Sequence, residues 1–180
     1  MPNYRRTRIA GGTYFFTVVT FRRFPLLASS SAISVLQSSL EAVKARHPFT
    51  VEAMVIMPDH LHCIWTLPDG DHDFSTRWRL VKAIFSRACL RSPVERIPSS
   101  LVWKREKGIW QQKFWEHCIR DDIDFNAHCD YIHYNPVKHG LAQSPSEWQH
   151  STFRLFVRAG FYPQDWMHSI SPQVMAMELE

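Results

Sequence analysis

The run Thr13-Tyr14-Phe15-Phe16-Thr17-Val18-Val19-Thr20-Phe21 constrains this chain more than any other segment. Successive β-branched and aromatic residues fit a pleated strand and crowd the turns of a helix, so the run predicts a central strand entered from the Gly11-Gly12 turn. The remaining elements have to be arranged around it. Ser29 to Arg46 carries Ile33, Leu36, Leu40 and Val43 at three-to-four spacing, after serines and ahead of Pro48, which predicts an amphipathic helix. Phe49 to Met57 and His60 to Leu67 read as two strands folded back across Pro58-Asp59, the second ending at Pro68-Asp69-Gly70. Ser75 to Leu90 reads as a helix with Trp78, Leu80, Ile84 and Ala88 on or near one face and Arg77, Arg79, Lys82 and Arg87 on the rest. Pro93 and Pro98 bracket a loop, and Val102 to Ile119 predicts a strand-turn-strand around Lys107-Gly108. Asp121 to Tyr134 predicts a third helix, acidic in its first turn and stopped by Asn135-Pro136. The order β-α-β-β-α-β-α predicts an α+β fold: an antiparallel sheet with helices packed on one face, close to a ferredoxin-like split sandwich.

A chain of 180 residues, 45% hydrophobic and 21% charged, suits one soluble domain with a sufficient core. The expected division is a catalytic unit over residues 1–140 and an irregular tail over 141–180 folded on the same domain. No apolar run is long enough to span a membrane, and the basic start Met1-Pro2-Asn3-Tyr4-Arg5-Arg6 is not followed by the apolar segment of a signal peptide. A cytoplasmic protein is expected. Cys63, Cys89, Cys118 and Cys129 form no CxxC pair, which argues against a zinc knuckle and predicts reduced, mostly buried thiols. The net charge of +4 suits a polyanionic partner without identifying one.

Two motifs carry chemistry. In His60-Leu61-His62 the strand period of two projects both imidazoles from one face, about 7 Å apart along the strand, while Leu61 points the other way. Two such rings can converge on one cation. Surface or hydrogen-bonded histidines share that spacing, so the motif needs a third ligand and a reactive group. The segment Asp130-Tyr131-Ile132-His133-Tyr134-Asn135-Pro136 offers both: on a helix, Tyr131 and Asn135 lie one turn apart on one face. An amide oxygen can ligate a hard cation, and a phenol can form a phosphotyrosine bond that conserves energy for rejoining. The plainer alternative has Tyr131 as an amphipathic surface residue and Asn135 as the end of the helix. Tyr134 is the rival nucleophile, but its residue one turn on is Lys138, beyond the proline.

Three ordered stretches together, Met57-Pro58-Asp59-His60-Leu61-His62, Trp110 to Asp121, and Tyr131-Ile132-His133-Tyr134-Asn135-Pro136-Val137-Lys138-His139-Gly140-Leu141, resemble the REP-associated tyrosine transposases. These are the domesticated branch of the IS200/IS605-like single-tyrosine transposases. Tyr4-Arg5-Arg6, Gly11-Gly12-Thr13-Tyr14-Phe15-Phe16-Thr17 and Trp148-Gln149-His150-Ser151 extend the resemblance through about Trp166. Where the family often has two serines after the late tryptophan, this chain has His150-Ser151. The resemblance implies a His-hydrophobic-His nuclease domain on a ferredoxin-like scaffold, a Mg²⁺ or Mn²⁺ ion and a 5′-phosphotyrosine intermediate. The implied substrates are single-stranded DNA hairpins of the repetitive extragenic palindrome type. Residue by residue it assigns His60 and His62 to the metal, Asn135 as third ligand and Tyr131 as nucleophile. A monomer acting in cis is preferred slightly over a homodimer.

For DNA contact, Arg5, Arg6 and Arg8 in the N-terminal arm are spaced to follow a backbone. Lys82, Arg87, Lys113 and Arg120 are candidates for the hairpin groove, and Trp115 for stacking on an unpaired base. His117 and His133 are read as supporting groups rather than ligands. Two other functions remain open at this point: a hairpin-binding regulator without chemistry, and a metal phosphoesterase that uses activated water.

Overall fold

In the computed structural model, residues 8–91 and 109–166 are described. The expected Lys107-Gly108 turn, the Pro93–Pro98 loop, and Arg5 and Arg6 lie outside those residues.

The first run forms β1 (Thr13–Val19) and the serine-led segment forms α1 (Ser30–Lys44), capped by the Ser29 hydroxyl, which accepts from the Ala32 N–H. Then follow β2 (Thr50–Ile56), β3 (His60–Thr66), α2 (Phe74–Arg91), β4 (Trp115–Cys118), α3 (Asp122–Lys138) and a short α4 (Phe153–Arg158). The four strands pair antiparallel in the order β2-β3-β1-β4, so β3 and β1 are interior. That is the α+β, ferredoxin-like arrangement expected from the element order.

The distribution of helices differs in one respect. Tyr14, Phe16 and Val18 of β1 and Leu61, Cys63 and Trp65 of β3 pack under α1 and α2, whereas Phe15 and Ile64 on the opposite face pack under Cys129, Tyr131 and Ile132 of α3. Helices therefore cover both faces. The reason lies in the first run itself: a strand apolar at every position buries both its faces, and each needs its own cover.

A second difference concerns Pro136, which was expected to stop the third helix. α3 continues through it to Lys138. Proline removes one backbone hydrogen bond and crowds the preceding turn, a cost of ~3 kcal/mol in an isolated helix. Here Ile132, Asn135 and Pro136 are all buried, so packing against the sheet outweighs that cost. The extra turn matters below, because it places Lys138 and His139 beside the strand histidines.

After α3 the chain returns along the free edge of β2. Val55 bridges Ser151, the Ile56 N–H donates to the His150 carbonyl at 2.8 Å, and the Trp148 indole donates to the Ile56 carbonyl at 2.9 Å. The edge is thereby closed to other strands. Tyr162 donates to the Asp130 carboxylate at 2.7 Å, and Thr152 Oγ1 lies 2.9 Å from His133 Nε2, which ties this segment to α3. Among the described residues no helix is long and apolar enough to cross a membrane.

Candidate active site

His60 and His62 project from β3 toward α3, in register with Val19 and Thr17 of β1. Both are buried, and their ring centroids are 4.8 Å apart. Each Nδ1 has an oxygen partner: Thr17 Oγ1 lies 2.9 Å from His62 Nδ1, and Asp59 Oδ1 lies 2.6 Å from His60 Nδ1. With the hydrogen on Nδ1, each ring donates to its oxygen and presents a bare Nε2 lone pair; an Nδ1 partner sets a ligating histidine in this way. Both Nε2 atoms are buried with no hydrogen-bond partner. Burial holds the His62 imidazole well below its usual range, and the neighbouring charges of His60, His139, Lys138 and Arg23 act in the same direction. A neutral ring is the ligand form. Partial burial pushes the Asp59 carboxyl up, but the His60 and Arg23 contacts outweigh it and hold the group below the usual carboxylate range.

The helix side of the site is set by α3. Asp121 caps it by accepting from the Asp124 N–H at 2.8 Å, and Cys129 and Ile132 anchor it against Phe15, Val55 and Ile64. This presents Tyr131, Asn135, Lys138 and His139 on one stripe, the spacing of successive turns. The Tyr131 ring is 5.2 Å from the His62 ring and meets Phe15 edge-on at 6.1 Å. The amide Oδ1 and Nδ2 of Asn135 are both buried without a partner. Four unmatched polar atoms on facing elements are costly unless a ligand satisfies them. Two imidazole nitrogens and one amide oxygen are donor types that suit a divalent cation, so the residues present fit the expected ion.

The expected DNA contacts divide. Trp115 is exposed on the same face as Tyr131, its ring 5.7 Å from Phe15. Arg8 and Lys113 are exposed. Arg120 is exposed, with its Nε donating to Asp124 at 3.1 Å. Lys82 and Arg87 belong to α2, which covers the other face of the sheet; Lys82 donates to the Gln111 carbonyl at 2.9 Å and Arg87 to the Ala83 carbonyl at 3.2 Å. They are therefore not gathered with Tyr131.

Four residues near the site escaped the sequence reading. Lys138 Nζ lies 4.8 Å from the Tyr131 ring centroid, and the His139 ring lies 5.5 Å from that of His60. Their signal was hidden by the expectation that Pro136 ends the helix. Thr17 was visible only as one more strand residue, although it pairs with His62 in register. Arg23 donates to Asp59 at 3.2 Å from a loop in which Arg22 and Arg23 both adopt the left-handed region, φ 55° and 53°. Non-glycine residues there cost on the order of 1–3 kcal/mol each, and such strain concentrates at functional sites.

No family model matches the chain. It is 44% identical to the REP-associated tyrosine transposase of Escherichia coli K12 over 172 residues, 95% of this chain and 94% of that one. A Haemophilus influenzae relative is 40% identical over 166 residues, 92% of this chain and 93% of its own. A solved structure of a REP-associated tyrosine transposase bound to a REP hairpin aligns with a TM-score of 0.81 at 43% identity, covering 95% of this chain and 94% of that chain.

Proposed function

The chain belongs to the REP-associated tyrosine transposases, and from that premise we propose that it cuts and rejoins single-stranded DNA at palindromic, REP-like hairpins through Tyr131. The observation that carries the reading is that His60 Nε2, His62 Nε2 and the Asn135 amide are all buried without hydrogen-bond partners, with the two imidazole rings 4.8 Å apart and the Tyr131 ring 5.2 Å from His62.

In this mechanism the Tyr131 oxygen attacks the scissile phosphorus and gives up its proton. The P–O3′ bond breaks, the 3′ oxygen leaves as a hydroxyl after taking a proton, and the 5′ phosphate remains on the phenol. Attack by a 3′ hydroxyl on that phosphotyrosine restores the backbone and releases the enzyme. His60, His62 and Asn135 would hold Mg²⁺ or Mn²⁺, which when bound supplies positive charge at the phosphate and its leaving oxygen. Thr17 and Asp59 orient the imidazoles, and burial keeps water from competing with the phenol. Lys138, beside the Tyr131 ring, offsets the charge of the incoming phosphate. Trp115, at the rim of the same face, offers its exposed ring to an unpaired base.

The test is incubation of the full chain with a labelled single-stranded hairpin and Mn²⁺ or Mg²⁺, then a denaturing gel and peptide mapping of the adduct. Tyr131→Phe is expected to retain the hairpin shift and to lose the protein-linked strand completely, while Tyr134→Phe keeps it. A hairpin shift with no cleavage under either ion would make the chain a binding regulator instead. Cleavage that persists in Tyr131→Phe without an adduct would point to activated water.

A further inference from the structure

The far end of the Tyr131 helix carries a second group of ligand-type atoms that the cleavage reaction does not use. His117 on β4, and Asp124 and His128 one turn apart on α3, each offer one donor atom, and these lie within 4.8 Å of one another. His117 Nε2 is 2.8 Å from Asp124 Oδ2, and His128 Nδ1 is 3.2 Å from Asp124 Oδ1. Ligands about 2.0–2.2 Å from a tetrahedral zinc ion are ~3.4 Å from one another, so a modest adjustment of donors that lie within 4.8 Å of one another would enclose one. We propose that His117, Asp124 and His128 form a second cation site, selective for Zn²⁺ over Mg²⁺, that clips β4 to the first turns of α3.

The surroundings favour that ion. Two imidazoles and a single carboxylate suit a borderline metal, whereas Mg²⁺ requires more oxygen ligands and retains its waters. Asp124 and His128 are buried and preorganised, and the His117 and His128 rings stack at 4.7 Å and 13°. His117 is partly exposed, which leaves an entry path and a position for a water as fourth ligand. The positive end of the helix opposes a cation there, but Asp121, Asp122 and Asp124 cluster at that end and offset it. Arg120 is the competing cation on Asp124 Oδ2, and its side chain is 74% exposed, so it can withdraw into water. His128 Nδ1 also meets the Asp124 carbonyl at 2.8 Å; that carbonyl keeps its helical N–H partner when the ring turns to a metal. To ligate through these nitrogens each neutral ring would carry its hydrogen on the other nitrogen, His117 on Nδ1 and His128 on Nε2.

The clip would act on the wall of the nuclease site. Phe15 touches both the His128 ring at 4.9 Å and the Tyr131 ring at 6.1 Å, and among the described strands the four-residue β4 pairs with β1 alone. The proposal stands independently of the cleavage reading, because its test is a binding measurement. The full chain carrying His60→Ala and His62→Ala is titrated calorimetrically with Zn²⁺ alone, and its thermal midpoint is followed. One equivalent should bind and raise the midpoint by several degrees, with Mg²⁺ doing neither. Adding His117→Ala should weaken Zn²⁺ binding roughly 100-fold or more. His117→Gln, which keeps a hydrogen bond to Asp124, serves if the alanine variant folds poorly, and should lose the ion equally. No Zn²⁺ binding by the doubly substituted chain, or equal affinity with and without His117, would overturn the site and leave Asp124 as a hydrogen-bonded tie between two histidines.

Discussion

The two faces of the central sheet follow opposite rules. Under α1 and α2, Trp65 stacks on Trp78 at 4.1 Å and 13°, with Phe16 and Phe74 packed around them. Among the described residues the one guanidinium buried there, that of Arg77, donates to the His47, Pro48 and Asp73 carbonyls and to the Asp71 carboxylate. Under α3 the same strands bury His60 Nε2, His62 Nε2 and both amide atoms of Asn135 without partners. The first face also leaves the Trp65, Trp78 and Trp110 indole N–H groups unmatched, but each is a lone donor within aromatic packing, whereas the second face buries the unmatched nitrogens of two neighbouring imidazoles and both amide atoms of Asn135. A buried unmatched polar group costs about 1–3 kcal/mol. One face therefore supplies stability that the other spends on holding a site.

That contrast can be broken by substitution. Trp78→Ala should cost about 3–5 kcal/mol, since it empties the centre of the stabilising face; a urea midpoint near that of the unsubstituted chain would show that the two faces are not so divided. His62→Leu fills a comparable volume with no polar atom. Measured in chelator, it should leave stability unchanged or raise it by up to about 2 kcal/mol while abolishing the DNA adduct, and a clear loss of stability would mean that the histidine is a core residue. Thr17→Val sharpens the same point with a smaller change: adduct formation should fall roughly 10- to 100-fold from lost imidazole orientation, with little shift in the midpoint. If adduct yield is unchanged, Thr17 does not orient the ring.

The smallest effect belongs to the stable face. The Arg77 hydrogen bond, and then the Asp73 N–H, hold the Asp71 carboxyl below its usual range. A depressed carboxylate contributes stability above its unfolded value of ~4 and loses it as pH falls toward the folded value. Because Asp71 is partly exposed, the contribution should stay below about 1 kcal/mol. Urea midpoints at about pH 5 and pH 3 should fall less in Asp71→Asn than in the unsubstituted chain; identical drops would remove Asp71 from the acid sensitivity.

Much of this was legible in the order of residues. The alternation of His60, Leu61 and His62 placed both imidazoles on one face, because a strand has no other option. The Ser29 cap, the spacing from Ile33 to Val43 and the acidic start of the third helix each located an element through local chemistry. Pro136 misled, since its local penalty was overcome by burial of Ile132 and Asn135, which no window around the proline displays. Lys82 and Arg87 looked like companions of Arg120 and Lys113 because all are basic. Only the assignment of α2 to the opposite face separates them from Tyr131.

Local pattern was enough to locate the strands and the starts of the helices, to fix which side chains alternate, and to put Tyr131 and Asn135 on one helical face. Those properties depend on backbone geometry over a few residues. Three meetings came only from long-range packing: α3 covers the face bearing His60 and His62, its last turn brings Lys138 and His139 to them, and His117 meets Asp124 and His128. Such meetings depend on which surfaces exclude water together, a property of the whole chain that no short segment encodes.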